Sequence, residues 1–342
     1  MPRSERPSLS LQTPSSAVLQ GALAVGVLSV STAAVLIRLA GTAPAAIAFW
    51  RLVFALGLLM PGIWRRRLGA WQEIRMQAPR IGLAGAFLAL HFLTWIQSLT
   101  LIPVAASTAL VSCHPLFVAG YERLVHKHGL SRATVAGGLV TIVGLLVITA
   151  SAHFRVQSLT GVALALAGAL FAAGYLIVGQ HVRQSLDTRL YAPSVYGTAA
   201  LLLGAFQWGR TRTLGPLSPH VLLIYLLLAI LPTLGGHTLF NWILKFVPAS
   251  TVSLVFLGEI AGSALIAWLV LGQVPPALAI VGIAVITGGL VITIRGLMPD
   301  QGRKVSLPPD PMGFPGESTL HPPCPGADRE PNTPPSRPHE PV

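Results

Sequence analysis

Ten apolar runs recur along the chain, each close to the length that carries a helix across a bilayer, with little sequence left between them. They fall at approximately residues 17–37, 44–63, 81–100, 103–122, 133–150, 160–179, 190–207, 219–239, 247–271 and 276–294. A water-soluble domain has to clothe its surface with charge, and about a quarter of its residues are Asp, Glu, Lys or Arg. Here 23 basic and 11 acidic residues make up 10% of 342, against 53% hydrophobic. That excludes a soluble enzyme or soluble binding module. The expected fold is an all-α polytopic membrane protein with ten transmembrane helices.

The formal net charge of +12 does not point to nucleic acid, because Lys and Arg fall in short clusters between apolar runs instead of on one folded face. Cytoplasmic loops are enriched in Lys and Arg. With a cytoplasmic N-terminus, 18 of the 23 basic residues lie inside, among them Arg65-Arg66-Arg67, Arg183, Arg189 and Lys245. Arg38, Arg51, Arg155, Arg210 and Arg212 lie outside, the first two within or beside helices. Both termini are therefore expected in the cytoplasm, with the first run retained as a helix and not cleaved as a signal peptide. Residues 1–16 form a short polar segment. The tail 296–342 holds 13 of the 28 prolines and is expected to be disordered. Cys113 and Cys324 form neither a disulfide framework nor a metal-ligand spacing.

An internal repeat organises the rest. A shift of 145 residues places Pro103 on Pro248, Leu124-Val125 on Leu269-Val270, Gly137 on Gly282 and Gly144-Leu145 on Gly289-Leu290. The halves are expected at 17–150 and 160–295. Five helices in each would make the second copy enter the membrane from the opposite side, the inverted-repeat plan of many secondary transporters.

Three motifs carry a family resemblance. Gly41-Thr-Ala-Pro-Ala-Ala-Ile-Ala-Phe-Trp-Arg51 resembles the Pro-x(n)-Phe-x-Arg start of the second helix of EamA-type proteins in the drug/metabolite transporter superfamily. Ile102-Pro-Val-Ala-Ala-Ser-Thr-Ala-Leu-Val-Ser-Cys-His-Pro115 resembles their fourth helix, and Val247-Pro-Ala-Ser-Thr-Val-Ser-Leu-Val-Phe-Leu-Gly-Glu259 their ninth. The chain departs from the pattern at His126-Lys-His128 and Gly272-Gln273, where Gly-Glu often ends these helices, and at Ile260, where a Pro usually follows the Glu. The resemblance implies inverted five-helix repeats and carriage of small metabolites, commonly export.

Glu259 sits twelve residues from either end of its run. A carboxylate at that depth is costly and is by default a functional group, here one that loads and releases a proton; a structural role in pairing with a cation is the alternative. His114 falls on Glu259 under the 145-residue shift, so the two are expected to share a proton-coupling role. His91 and Trp95 share one helix face, His237 and Asn241 another, being four apart in each case. With Trp242 and Arg51 they are candidates for binding a small polar solute, or else for interhelical hydrogen bonding, interface anchoring and snorkelling.

No phosphate-cradling loop, Gly-x-Ser-x-Gly or His-Glu-x-x-His occurs, so no cofactor is called for and energy must come from a gradient. The expectation is a carrier, not an enzyme, in the plasma (inner) membrane. It moves a small polar metabolite such as an amino acid outward by alternating access, with protons as a candidate coupling ion. The alternatives are uptake or uncoupled facilitation, and a membrane-embedded metal enzyme using the histidines. A monomer is sufficient and a dimer compatible.

Overall fold

The computed structural model describes residues 14–64, 67–102, 104–126, 132–151, 158–272, 274 and 276–295. The segment before residue 14, Arg65-Arg66, Pro103, Lys127-His128, Arg155, Gln273 and the Pro-rich tail lie outside them. Among the described residues the regular structure is entirely helical.

The chain runs through α1 (Ser16–Val30), α2 (Ala33–Ala40), α3 (Pro44–Trp64), α4 (Arg67–Met76), α5 (Ala78–Ser98), α6 (Val104–Val111), α7 (His114–His126) and α8 (Arg132–Ser151). It continues through α9 (Leu159–Ser185), α10 (Thr188–Thr211), α11 (Pro219–Leu228), a π-helix (Ala229–Thr238), α12 (Leu239–Ile243), α13 (Ala249–Phe256), α14 (Gly258–Leu271) and α15 (Ala277–Arg295). Among the described residues six segments are long and apolar enough to cross a membrane: Ser16–Ala40, Pro44–Gly62, Ala78–Ser98, Leu159–Ser185, Pro219–Ile243 and Ala249–Leu271. The protein is an integral membrane protein, and its other apolar runs are also helical.

Two features differ from the expected plan. A short helix, α4, occupies the connection after α3, its Trp71 and Met76 exposed. More consequentially, four of the expected runs are not single helices. They are interrupted at Ser31-Thr32, at Ser112-Cys113, through the π-helix and at Leu257.

The 145-residue repeat is visible in the helix boundaries. Shifted by 145, α6 becomes 249–256, the range of α13, and α8 falls on α15 to within a residue. The α8 and α15 helices pack directly on each other at glycines. A Cβ at Gly144 would stand 2.7 Å from the Gly282 carbonyl oxygen, and one at Gly289 would stand 2.6 Å from that of Gly137. These contacts exchange under the shift, as a two-fold relation between the halves requires. Side chains from the preceding helices also hold α13: Gln180 Oε1 accepts the Ala249 N–H and Glu122 Oε1 the Ser250 N–H, each at 3.1 Å. The first turn of α13 is thus satisfied although its N-cap is Pro248, which offers no side-chain acceptor.

The crossing gives a direct test. Gly289→Leu is expected to cost about 1–3 kcal/mol by overpacking and to lower the thermal midpoint in detergent. Gly288→Leu, where a Cβ would meet nothing within 4 Å, should leave it nearly unchanged. Equal shifts for the two variants would contradict the close approach.

Candidate functional site

The helix interruptions follow from local chemistry. Pro115 has no N–H, so the carbonyl four residues back, at Val111, loses its helical partner. The His114 ring supplies a replacement, its Nδ1 donating to Val111 O at 3.1 Å. A carbonyl can only accept, so Nδ1 carries the hydrogen and Nε2 is the ring's remaining acceptor. In the π-helix Pro232 has the same effect, and Thr233 Oγ1 donates to Leu228 O, five residues back, at 2.7 Å. In the first run Ser31 Oγ and Thr32 Oγ1 donate back to Val27 O and Ser29 O, each at 2.7 Å. No proline marks the fourth interruption; there Leu257 N–H and Ile260 N–H each bond three residues back, at 3.2 Å.

All four interruptions meet at one cavity. They supply Val30 and Ala33, then Val111, Ser112 and His114, then Pro232 and His237, then Phe256 and Glu259; His91 and Trp95 of α5 and Ala172, Tyr175 and Leu176 of α9 complete the lining. Val30 and Tyr175, Val111 and Phe256, and His114 and Glu259 are each separated by 145, so the cavity straddles the relation between the halves.

Aromatic rings form much of the wall. His91 stacks on Trp95, 5.9 Å apart and 12° from parallel, and donates from Nδ1 to Gly168 O at 2.9 Å. His237 meets His91 and Tyr175 edge-on, and Phe256 lies 5.8 Å from His237 and 5.5 Å from His114. Glu259, 8% exposed, sits in the first turn of α14, where unpaired backbone N–H groups concentrate. Among the described residues no hydrogen bond or ion pair reaches its carboxylate, and the nearest opposing field is that of Arg51.

Five of the eight sequence-predicted residues therefore come together around the cavity: His91, Trp95, His114, His237 and Glu259. Arg51 stands behind the lining, fully buried, with Nε donating to Thr233 Oγ1 at 2.9 Å. Asn241 also stands behind it, its Oδ1 accepting from Tyr175 OH at 2.7 Å and its backbone carbonyl from Arg183 Nε at 2.8 Å. Trp242 packs on Phe246, away from the lining. Sequence reading missed Tyr175 and Phe256, although the repeat shift applied to Val30 and Val111 leads to both. Among the described residues no three His, Cys, Asp or Glu side chains stand close enough to hold a metal ion.

A cavity at the meeting point of discontinuous helices from two related halves defines a carrier-type membrane protein. Residues 16–150 and 159–295 each match the EamA-like transporter family, and the chain belongs to that family. It is 25% identical over 261 residues to the Bacillus subtilis (strain 168) protein called "Uncharacterized transporter YdfC", a match covering 75% of this chain and 83% of that one. A solved crystal structure shares the fold with a TM-score of 0.67 at 18% identity, covering 81% of this chain and 97% of the other. The chain is a membrane transporter with two EamA repeats.

Replacing Pro115 tests how the site is built. Pro115→Ala restores an N–H for Val111 O and should release the His114 ring. Thermal stability is expected to stay within about 1 kcal/mol, while nitrogen NMR of the labelled ring reports loss of the Nδ1 hydrogen bond. A ring signal identical to wild type would sink the assignment.

Proposed function

We propose that this transporter is a secondary carrier that crosses the inner membrane ten times, with its two five-helix repeats in opposite orientations and both termini in the cytoplasm. It moves a small polar metabolite outward by alternating access around the cavity, with Glu259 as the proton-loading group and His114 as its counterpart in the other repeat. Trp95, His91 and His237 contact the solute, and Asn241 positions Tyr175 for it.

The observation that carries this reading is the convergence of His114 and Glu259 at matching interruptions of two repeat-related segments. A lone carboxylate in an apolar span is costly and is rarely retained without a role. Two arms related by a two-fold can expose such a site to each side in turn. The distribution of Lys and Arg supports the orientation. So do Arg38 and Arg183, which lie 145 apart on expected opposite faces; Arg38 donates to Ile102 O, in the connection between α5 and α6, at 3.3 Å, and Arg183 to Asn241 O of α12 at 2.8 Å.

Untargeted mass spectrometry of medium and cytoplasm, with cells expressing wild type or Glu259→Gln at matched membrane levels, tests the function. A small set of metabolites is expected outside only with the wild type, at least tenfold above the variant. Equal export by both would remove the proton-loading role of Glu259. A set depleted from the medium and accumulated inside would establish uptake, and no altered metabolite would count against transport of a native solute.

A further inference from the structure

Arg51 is 0% exposed and only one of its three guanidinium nitrogens is hydrogen-bonded, Nε to Thr233 Oγ1. Its Nη1 and Nη2 have no partner, while the guanidinium carbon rests 4.2 Å from the centre of the Phe92 ring. The Phe92 ring lies 5.2 Å from His91 and 5.3 Å from His237, both lining residues, so the guanidinium sits directly behind the cavity wall. Two lining residues bring further unpartnered buried nitrogens, Trp95 Nε1, which can only donate, and His237 Nδ1. Leaving a buried polar group unpaired is expensive, most of all on a charged one. Arg51 Nη1 and Nη2 and Trp95 Nε1 are thus donors without an acceptor, with His237 Nδ1 unpaired beside them.

The repeat shows that this set is one-sided. Residue 196, which corresponds to Arg51 under the 145-residue shift, is Tyr, and its hydroxyl is already paired with Thr238 Oγ1 at 2.9 Å. Glu259 is the one acidic residue whose field bears on Arg51, and no hydrogen bond joins the two among the described residues. An organic ammonium ion would enter beside the Arg51 guanidinium with a single carboxylate to meet it. A neutral solute would leave the guanidinium unpaired.

Resting on the carrier reading above, we infer that the carried solute is a small organic carboxylate whose acid group docks on Arg51, with Trp95 Nε1 and His237 as further contacts. The planar fork of Arg matches a carboxylate with two parallel hydrogen bonds, which suits the two free nitrogens. The stacked His91–Trp95 pair with Tyr175 and Phe256 then encloses an apolar or planar body on that acid. Glu259 is the internal competitor for the same cation, so neutralising it strengthens the site for the solute.

The experiment uses the full chain purified in detergent and a panel of C2 to C9 monocarboxylates, each beside the amide and the amine of the same skeleton, with thermal protection as the readout. At least one carboxylate is expected to protect with an affinity tenfold or more above its amide and amine. Glu259→Gln should tighten that binding several-fold, and Trp95→Phe, which keeps the ring and removes one donor, should weaken it three- to tenfold. Arg51→Gln should abolish the preference; because it also removes a buried hydrogen bond, the Trp95 and Glu259 variants carry the test if it does not fold. Carboxylates that protect no better than their amides, or bind Glu259→Gln more weakly than wild type, would overturn the assignment. The two readings fail separately: export of a cationic or uncharged set of metabolites keeps the carrier and removes the carboxylate class. Carboxylate protection without any exported metabolite does the reverse.

Discussion

Inside a bilayer a backbone carbonyl that loses its helical partner has to find another donor, because no solvent is there to supply one. Interruptions are therefore confined to places where protein groups can replace the missing bonds. Here the replacements are the His114 ring at Val111 and the Thr233 hydroxyl at Leu228, while the Ser31 and Thr32 hydroxyls add second donors to Val27 O and Ser29 O, which their own N–H groups already bond. Of these groups the His114 ring also lines the cavity, so at that break one side chain both repairs the backbone and makes the wall polar.

The same economy governs the charges. Thr233 spends its hydrogen on Leu228 O and its lone pair on Arg51 Nε, so one hydroxyl secures the π-helix and orients a buried guanidinium. Tyr196, at the repeat-related position, pairs with Thr238 of the same π-helix. The halves thus share a framework but not a chemistry: a cation stands on one side where a phenol stands on the other, and an imidazole faces the position of a carboxylate. The backbones match at α6 with α13 and at α8 with α15, whereas the break in the first run and the π-helix have no counterpart in the unbroken α9 and α5.

Much of the fold was legible in the sequence because hydrophobic length and helix content are linked directly in a membrane. The apolar runs fall on helical segments, although α9 extends to Ser185 where the run ends near 179, and the 145-residue spacing that aligned Pro103 with Pro248 also aligns α6 with α13. The interruptions were only partly legible. Pro115 and Pro232 signal two of them, but Leu257 bears no local mark, and Ile260 stands where the family pattern has a proline. Placement of single side chains was least accessible. Trp242 and Trp95 look alike in sequence, and only tertiary packing sends one to Phe246 and the other to the cavity.

The two arms are also unequal as springs. The crease at Pro115 is written into covalent structure, since no rearrangement can give that residue an N–H. At Leu257 no proline intervenes, and the Leu257 and Ile260 amides merely bond one residue short, so α13 and α14 can straighten into one rod with little loss of backbone hydrogen bonding. The first arm is a stiff post and the second a compliant lever, with Glu259 mounted just past its soft point.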